Sequence, residues 1–371
     1  MARPKKEKNV DDSSSDNEQL NDYFKKELSS KDISDVENFI STGSTLLDYA
    51  IANKKSGGIP TRRVVEICGD EATGKSLIAY HILANTQKVG GVAIYIDTER
   101  AANKEFLTRM GVDWNKLIYT RQSCIEDVFD YIEKVITVTR LKVPDKKVPV
   151  VIVWDSVAAT PAKSALEIAY GEQRMAEEAR VMSKCLRKSA EALDEGGVTL
   201  VCVNQLRQKI GVMFGDPSIT PHGKALPFYA SVRIKMSGTK KIIDKDTERT
   251  VGIAATAKVF KNKVGPNHRE ACFPLMYDFG VEDEQSILDY LVDTGIVSTG
   301  GAWKTISIAG QEHRFQSAGW KELMDNKEFR TKVIELVEEK MIIKFKRDID
   351  TIQIDHESSI EMDQLKSDLE S

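Results

Sequence analysis

The sequence predicts an α/β protein with a mostly parallel central sheet covered by helices, and three observations carry this prediction. From Arg63 onward, β-branched runs alternate with amphipathic stretches of helical length, as in parallel strands joined by crossover helices. The run PVVIVWD (149–155) is apolar without alternation, which indicates a strand buried on both faces. A glycine-rich turn with a lysine joins the run VVEIC (64–68) to an apolar helix.

The individual elements follow in chain order. The predicted strands are 64–68, 91–97, 117–122, 149–155 and 199–205. The predicted helices are the stretch after the glycine-rich turn, residues 126–140 and residues 175–195. Residues 230–276 alternate like strands again. Beyond residue 281 a small α+β domain is expected, with helices near 283–293, 319–324 and 327–339.

Charge and hydropathy limit the classes of function. The net charge of −4 and the pI near 5.9 argue against a protein that coats DNA by bulk charge, although local basic surfaces remain open. No apolar run reaches the roughly 20 residues that cross a bilayer, and the N-terminus lacks an apolar signal core. We therefore expect a cytoplasmic protein without a membrane partner. The five cysteines form no CxxC pair, which disfavours a zinc site or a disulfide framework.

The two ends of the chain differ from its centre. Residues 1–20 are charged and rich in Ser and Asp, and are predicted to be disordered. Residues 21–40 show a helical pattern, which fits either an arm that docks on another subunit or a helix packed on its own domain. The core is expected at 41–280, the small C-terminal domain at 281–347, and a solvated acidic tail at 348–371.

The octapeptide GDEATGKS matches the phosphate-binding pattern G-x-x-x-x-G-K-[ST] between a strand and a helix. Its glycines permit the backbone angles that close a loop around phosphate, and its N–H groups and helix N-terminus attract anions. The lysine reaches the β and γ phosphates, and the serine hydroxyl ligates Mg²⁺. The sequence thus predicts ATP and Mg²⁺ as cofactors. The predicted nucleotide-binding residues of the loop are Gly69, Asp70, Glu71, Ala72, Thr73, Gly74, Lys75 and Ser76.

Two carboxylates at predicted strand ends complete this site. Asp155 leaves the buried strand at the position where such enzymes hold the water shell of Mg²⁺, so it joins Ser76 as a predicted metal residue. Glu99 follows the strand at 91–97 and can polarise a water toward the γ-phosphate. By position alone, Glu99 can equally pair with Arg100 or cap a helix.

Seven segments, in order over roughly residues 40–300, resemble the bacterial RecA family and its phage relatives. The pieces NQLRQKIGVMFG and FYASVR are far more specific than a phosphate loop. The resemblance implies a P-loop NTPase core of the RecA type with an N-terminal helical arm and a small C-terminal domain. The segments are STGSTLLDYAI (41–51), VVEICGDEATGKS (64–76), YIDTER (95–100), VVIVWDSVAATP (150–161), VNQLRQKIGVMFGDP (203–217), ALPFYASVRIKM (225–236) and KVFKNKVGP (258–266).

The resemblance assigns roles around the nucleotide. Glu99 is similar to the family's catalytic carboxylate, and Gln205 to the glutamine that senses the γ-phosphate and signals to the adjacent DNA loop. Phe106 and Tyr277 stand where the family contacts adenine. Asn103 replaces an aspartate near the base, which leaves nucleotide selectivity open, and residues 302–347 match the family poorly.

The resemblance also implies an oligomer. Lys261 and Lys263 match lysines that reach the ATP of the neighbouring subunit, so they count as catalytic residues supplied in trans. Phe228 matches an aromatic residue at the subunit interface, and the arm at 21–40 would dock on the next subunit in an open helical contact. Without the resemblance, KNK (261–263) fits a solvated basic turn.

Two segments are expected to bind DNA. The stretch 206–224 is too long for a simple connection and combines glycines, basic side chains and an exposed isoleucine, which the family uses as a wedge between base triplets. Its predicted DNA-binding residues are Arg207, Lys209, Ile210, Gly211, Gly223 and Lys224.

The second DNA segment runs from about residue 164 to 176 and continues into a helix. Met175 resembles a second wedge. Arg180, Ser183 and Arg187 follow at spacings of three and four and therefore share one helix face. The alternative is a solvated face on which the two arginines pair with neighbouring glutamates.

The expected function is therefore an ATP-dependent recombinase. It would form helical filaments on single-stranded DNA and exchange strands with a homologous duplex, with a loading mediator and a single-strand-binding protein among its expected partners. Two alternatives stay open: a hexameric ring helicase with the same core, and a regulatory module that binds without turnover.

Overall fold

A computed structural model describes residues 36, 38–143, 147–166, 175–208 and 218–344. Residues from Phe39 onward form one compact unit, and Val36 and Asn38 belong to another. The predictions made for 1–20, for most of 21–40 and for 348–371 lie outside the described residues, as do Lys209, Ile210, Gly211 and the side chain of Met175.

A nine-stranded sheet forms the centre, in the order β13-β12-β11-β10-β3-β7-β6-β4-β5. The six strands from β10 to β5 run parallel, and β11, β12 and β13 add an antiparallel edge, so the predicted mostly parallel sheet is confirmed. The strands are β3 (Val64–Gly69), β4 (Val92–Asp97), β5 (Ile118–Thr120), β6 (Val150–Asp155), β7 (Val198–Gln205), β10 (Val232–Ile243), β11 (Thr250–Asn262), β12 (Arg269–Met276) and β13 (Gly280–Val281).

Helices cover both faces of the sheet because its strands are apolar on both sides. Val151 and Val153 of β6 join one buried cluster, while Ile152 and Trp154 join the other. The first cluster holds α1 and α2, and the second holds α4 and α6. The helices of this part are α1 (Thr45–Ala52), α2 (Lys75–Lys88), α3 (Lys104–Arg109), α4 (Ile125–Lys142), α5 (Lys163–Leu166), α6 (Met175–Gly196) and α7 (Ala225–Tyr229).

The C-terminal region packs its own small antiparallel sheet and three helices against the first cluster. Ile306, Trp320 and Val337 are buried in that cluster together with core residues. The helices predicted beyond residue 281 are present and are therefore confirmed, whereas the domain boundary stays a prediction. The elements are α8 (Asp283–Asp293), β14 (Val297–Gly300), β15 (Trp303–Ile308), β16 (Gln311–Gln316), α9 (Trp320–Asp325) and α10 (Lys327–Met341).

The helical pattern predicted up to Ile40 is wrong at its end. Phe39–Ile40 form strand β1, which pairs with β2 (Ile59–Pro60). Gly58 allows this pairing, since at its φ of +125° an added Cβ would lie 2.1 Å from the Ile40 carbonyl oxygen. Two further short strands, β8 (Arg207–Gln208) and β9 (Ser218–Ile219), pair with each other. Among the described helices, none combines the length and apolarity needed to cross a bilayer.

Candidate active site and nucleic-acid interface

The phosphate loop links the end of β3 to the start of α2, and two of its glycines are required by shape. Gly74 has a φ of +87°, and a Cβ there would lie 2.0 Å from Cδ2 of Leu275 in β12. Gly69 has a φ of +155°, and a Cβ there would lie 2.3 Å from the Met236 carbonyl oxygen in β10. The tight loop therefore depends on close approach by neighbouring strands as well as on its own sequence.

Lys75 lies at the base of this loop and is buried. Its ammonium donates to the Asp70 carbonyl at 2.5 Å, and the Thr73 hydroxyl donates to the same oxygen at 2.9 Å. Burial lowers the pKa of Lys75, against the opposing charges of Asp155 and Glu99. Asp70, Glu71 and Ala72 are exposed at the rim of the loop. A phosphate bound in the loop would compete with the Asp70 carbonyl for the Lys75 ammonium.

Asp155 ends β6 beside the loop, with its carboxylate buried. It accepts from the Tyr95 hydroxyl at 3.1 Å and from the Ser76 hydroxyl. Burial raises the pKa of Asp155 to about 6; the bond from Ser76 opposes the rise and the charge of Glu99 adds to it.

A hydroxyl and a carboxylate are ligands that suit Mg²⁺. Among the described residues, no cluster of three His, Cys, Asp or Glu side chains could hold a metal ion. Ser76 and Asp155 supply these two ligand types side by side, because the Ser76 hydroxyl donates to the Asp155 carboxylate.

Glu99 and Gln205 meet next to the loop. The Gln205 amide donates to Glu99 Oε1 at 3.5 Å, and the Ser156 hydroxyl donates to the same oxygen. Gln205 ends β7 directly opposite Gly69 in the sheet register, and the Leu206 N–H donates to the Gly69 carbonyl at 3.2 Å. The predicted catalytic carboxylate and the predicted sensor are thus brought together, and the chain that leaves the sensor is bonded to the phosphate loop.

Asp97 was missed by sequence reasoning, although it holds the segment that carries Glu99. It is 1 % exposed and accepts from the backbone N–H groups of Arg100 (2.7 Å), Ala101 (3.3 Å) and Ala102 (3.2 Å). The Tyr119 hydroxyl of β5 donates to it at 2.8 Å. A buried aspartate at a strand end was the available signal, because such a carboxylate must find donors in the turn that follows.

The predicted adenine contacts lie on neighbouring segments. Asn103 caps α3 by accepting from the Phe106 N–H at 3.1 Å, and the Phe106 ring meets Tyr80 edge-on at 6.1 Å. Tyr277 is 44 % exposed and follows β12. Asp278, the next residue, pairs with Arg109 of α3 at 3.7 Å, which holds the Tyr277 turn beside α3.

Lys261, Lys263 and Phe228 lie together at the opposite end of the strands. The Lys261 ammonium donates to the carbonyl oxygens of Pro227 (2.6 Å) and Phe228 (2.8 Å), and the Phe228 side chain is 71 % exposed. Burial lowers the pKa of Lys261, and the charge of Lys263 lowers it further.

The strand register separates these lysines from their own phosphate loop. Lys261 pairs with Arg233, which pairs with Glu66, three residues before Gly69. Three residues of strand span about 10 Å. The ammonium of Lys261 also turns toward α7, where it donates to the Pro227 and Phe228 carbonyls.

Basic side chains gather around one cavity of about 1280 Å³. Arg207, Gly223 and Lys224, all predicted to bind DNA, line it together with Lys235 and Lys258. The last two were missed, because they alternate with apolar residues in β10 and β11 and only the pairing of the two strands sets them side by side.

Arg233 connects this cavity to the phosphate-loop strand. It pairs with the fully buried Glu66 at 2.5 Å, and the Asn204 amide donates to the same carboxylate at 2.9 Å. Arg233 also donates to the Thr220 hydroxyl at 3.3 Å and lies over the Phe260 ring at 4.5 Å. A continuous set of contacts thus runs from the end of β7 to the segment around Thr220.

The predicted helix face is present on α6. Arg180 and Arg187 are exposed and Ser183 is half-buried. Among the described residues of α6, those that line the basic cavity are Ala176, Glu178 and Ala179. The two arginines therefore extend the basic surface along the helix rather than into the cavity.

The fold and site define a class: an α/β protein with a phosphate loop after β3, a carboxylate after β4, another at the end of β6, and a glutamine at the end of β7. The chain belongs to the RecA family, since residues 19–282 match the RecA N-terminal domain. The family acts in DNA recombination and repair and binds ATP.

Several bacterial proteins named Protein RecA are similar to the chain. That of Mycobacterium ulcerans is 40 % identical over 266 residues, covering 72 % of this chain and 73 % of the relative. That of Mycobacterium avium is 37 % identical over 302 residues, covering 81 % and 82 %. That of Nocardia farcinica is 36 % identical over 302 residues, covering 81 % and 83 %.

Proposed function

We propose that the chain is a DNA-dependent ATPase that assembles as a helical filament on single-stranded DNA and exchanges strands with a homologous duplex. One observation carries the proposal. Gln205 contacts Glu99 at the phosphate loop, and two residues later Arg207 lines the basic cavity. A change at the nucleotide therefore has a path of two residues to the DNA interface.

The residues of the nucleotide site would have separate roles in ATP hydrolysis. The N–H groups of residues 69–76 and the Lys75 ammonium bind the phosphates. Ser76 and Asp155 would hold Mg²⁺, which when bound offsets the phosphate charge. Glu99 accepts the proton of the attacking water. The Ser156 hydroxyl orients that carboxylate, and Phe106 and Tyr277, with Asn103 nearby, would face the base.

Gln205 would act as the switch. Its amide rests on Glu99 at 3.5 Å, a long contact that a γ-phosphate can replace. Movement of the amide would displace Leu206, whose N–H is hydrogen-bonded to Gly69, and would thereby shift Arg207. ATP then favours the DNA-binding arrangement of the following segment, and hydrolysis releases it.

The second half of the site would come from a neighbouring subunit. Lys261 and Lys263 lie at the end of the strands away from their own phosphate loop, so they would offset the charge of a phosphate held by the next copy. The exposed Phe228 beside them would fill that interface, with the arm at 21–40 completing it. Such a contact is heterologous and builds an open filament.

DNA would bind along the basic cavity and the face of α6. Arg207, Lys224, Arg180 and Arg187 neutralise phosphates, and Gly223 lets its backbone approach one. Ser183 adds a hydrogen bond. Met175, Lys209, Ile210 and Gly211 belong to the same proposed interface by their place in the sequence.

Imaging of the full chain with single-stranded DNA and a slowly hydrolysed ATP analogue tests this proposal. Helical filaments whose formation requires both ligands are the expected result. Closed rings without filaments would support the helicase instead. An ATPase assay with and without single-stranded DNA completes the test, since absence of stimulation at every salt concentration would support a module without turnover.

A further inference from the structure

His222 is a buried histidine to which no role has been given above, and it lies where the two DNA-binding segments meet. It belongs to the segment 206–224 and its side chain is 5 % exposed. Its Nε2 lies 3.0 Å from the Val157 carbonyl oxygen, just after β6. Its Nδ1 lies 3.4 Å from Oε2 of Glu178, in the first turn of α6. The ring therefore touches the flank of the second DNA segment and the turn that follows the strand ending in Asp155.

The two contacts constrain the protonation of the ring. A carbonyl oxygen only accepts, so the contact with Val157 requires a hydrogen on Nε2. In a neutral imidazole Nδ1 is then a bare lone pair, and it faces a carboxylate that also only accepts. Among the described residues, no group gives the Nδ1 of a neutral ring a hydrogen-bond partner in this geometry. Only the protonated ring can donate on both sides, which makes the Glu178 contact favourable.

We propose that His222 is a positioning residue of the DNA interface, which joins the flanks of the two DNA-binding segments to each other through Glu178 when its ring is protonated. This inference rests on the proposed DNA-binding function. The contact between His222 and Glu178 would hold the basic side chains of the two segments near each other. DNA binding and proton uptake by His222 are then coupled.

The charges around the ring set the direction of the coupling. Burial lowers the pKa of His222, and Arg207 of β8 lowers it further, whereas Glu178 of α6 and the Val157 carbonyl raise it. The net effect is a lowered pKa, so the DNA-free protein holds a neutral ring near pH 7. A DNA phosphate beside Arg207 offsets the charge of that arginine and raises the pKa of His222, so DNA favours the protonated ring.

The neighbouring residues show how the ring position reaches DNA. Gly223 has a φ of +81°, and a Cβ there would lie 3.0 Å from Cβ of Ala179, so the chain passes tightly against α6. Lys224 follows and lines the basic cavity. A displaced His222 would therefore move Lys224 relative to Glu178 and α6.

The test measures affinity for a labelled oligo-dT between pH 6 and 8, at constant ionic strength with a saturating, slowly hydrolysed ATP analogue. The variants are His222→Gln, whose amide can donate to Val157 without acquiring charge, and Glu178→Gln. His313→Gln, in β16, is the matched control. For the parent chain and the control, affinity should rise as pH falls, by at most about tenfold per pH unit from one coupled group.

His222→Gln and Glu178→Gln should each lose the pH-dependent part of the affinity. In the double variant the two losses should not add, because the residues are partners in one contact. Calorimetry in two buffers of different ionisation enthalpy should show that the parent chain takes up more protons on binding than His222→Gln. Equal pH slopes in all variants, or a loss of affinity that is the same at every pH, would overturn the role of His222. A parent chain that binds no single-stranded DNA at any pH would overturn the proposed function instead.

Discussion

Replacing Asp97 with Asn tests how Glu99, the proposed catalytic carboxylate, is held. Asp97 accepts three backbone N–H bonds and one from Tyr119, two on each carboxylate oxygen. An asparagine keeps one oxygen and turns an NH₂ group toward the donors on the other side. The Tyr119 hydroxyl, which already accepts from Arg121 at 2.7 Å, can turn its hydrogen away and accept a second bond, but at least one backbone N–H is left facing a donor.

The magnitude follows from these bonds. A hydrogen bond to a charged acceptor contributes about 1.5–3 kcal/mol, so the substitution should destabilise the segment around Glu99 by about 2 kcal/mol. If the lost contact holds Glu99 in place in the transition state but not in the bound ground state, the full amount is added to the barrier and kcat falls by about 30-fold, since each 1.36 kcal/mol is about tenfold in rate. Tyr119→Phe removes one of these four bonds, together with the bond that the Tyr119 hydroxyl accepts from Arg121 at 2.7 Å. At about 1.5 kcal/mol it should lower kcat by about tenfold.

The assay is steady-state ATP hydrolysis with saturating single-stranded DNA, with ATP affinity measured separately by calorimetry. Affinity should stay near that of the parent chain, because the phosphate loop keeps its contacts with β10 and β12. Tyr131→Phe, on α4 in the other buried cluster, is the matched control. A folded Asp97→Asn protein whose kcat stays within twofold of the parent value would refute the reasoning.

Three further predictions concern the nucleotide and the interface. Glu99→Gln should bind ATP and DNA, lower kcat by about 10²-fold or more, and release DNA slowly in a salt-jump experiment; turnover at the parent rate would remove Glu99 from catalysis. Gly74→Ala should abolish measurable ATP binding and cost about 1–2 kcal/mol in denaturant unfolding, because its Cβ would meet Leu275 at a left-handed φ; normal binding would contradict the tight-loop argument. Lys261→Ala should bind ATP as a free subunit but lose DNA-stimulated hydrolysis, and mixing it with Lys75→Ala subunits should restore part of the activity; failure of both variants and of every mixture would argue against a site shared between subunits.

The sequence by itself determined the elements whose signals are local. The phosphate loop reads as eight consecutive residues, and Asp155, Glu99 and Gln205 each stand at or just after the end of a predicted strand. Parallel strands place their carboxyl ends at one edge of the sheet, so the strand pattern was enough to assign the two carboxylates to the site of the phosphate loop, whereas the role of Gln205 came from the family resemblance. The strand at Phe39–Ile40 was not predicted, because a segment of two residues is too short to show the alternation of a strand and only its pairing with β2 defines it.

The tertiary structure alone decided the contacts between segments distant in sequence. It set Lys235 beside Lys258, placed Lys261 against α7 and away from its own phosphate loop, and brought His222 to Glu178. Each of these depends on strand register or on how a helix packs on the sheet, and a shift of one residue in a strand would turn its side chains to the other face. Such choices follow from the packing of the whole core, which no short stretch of sequence encodes.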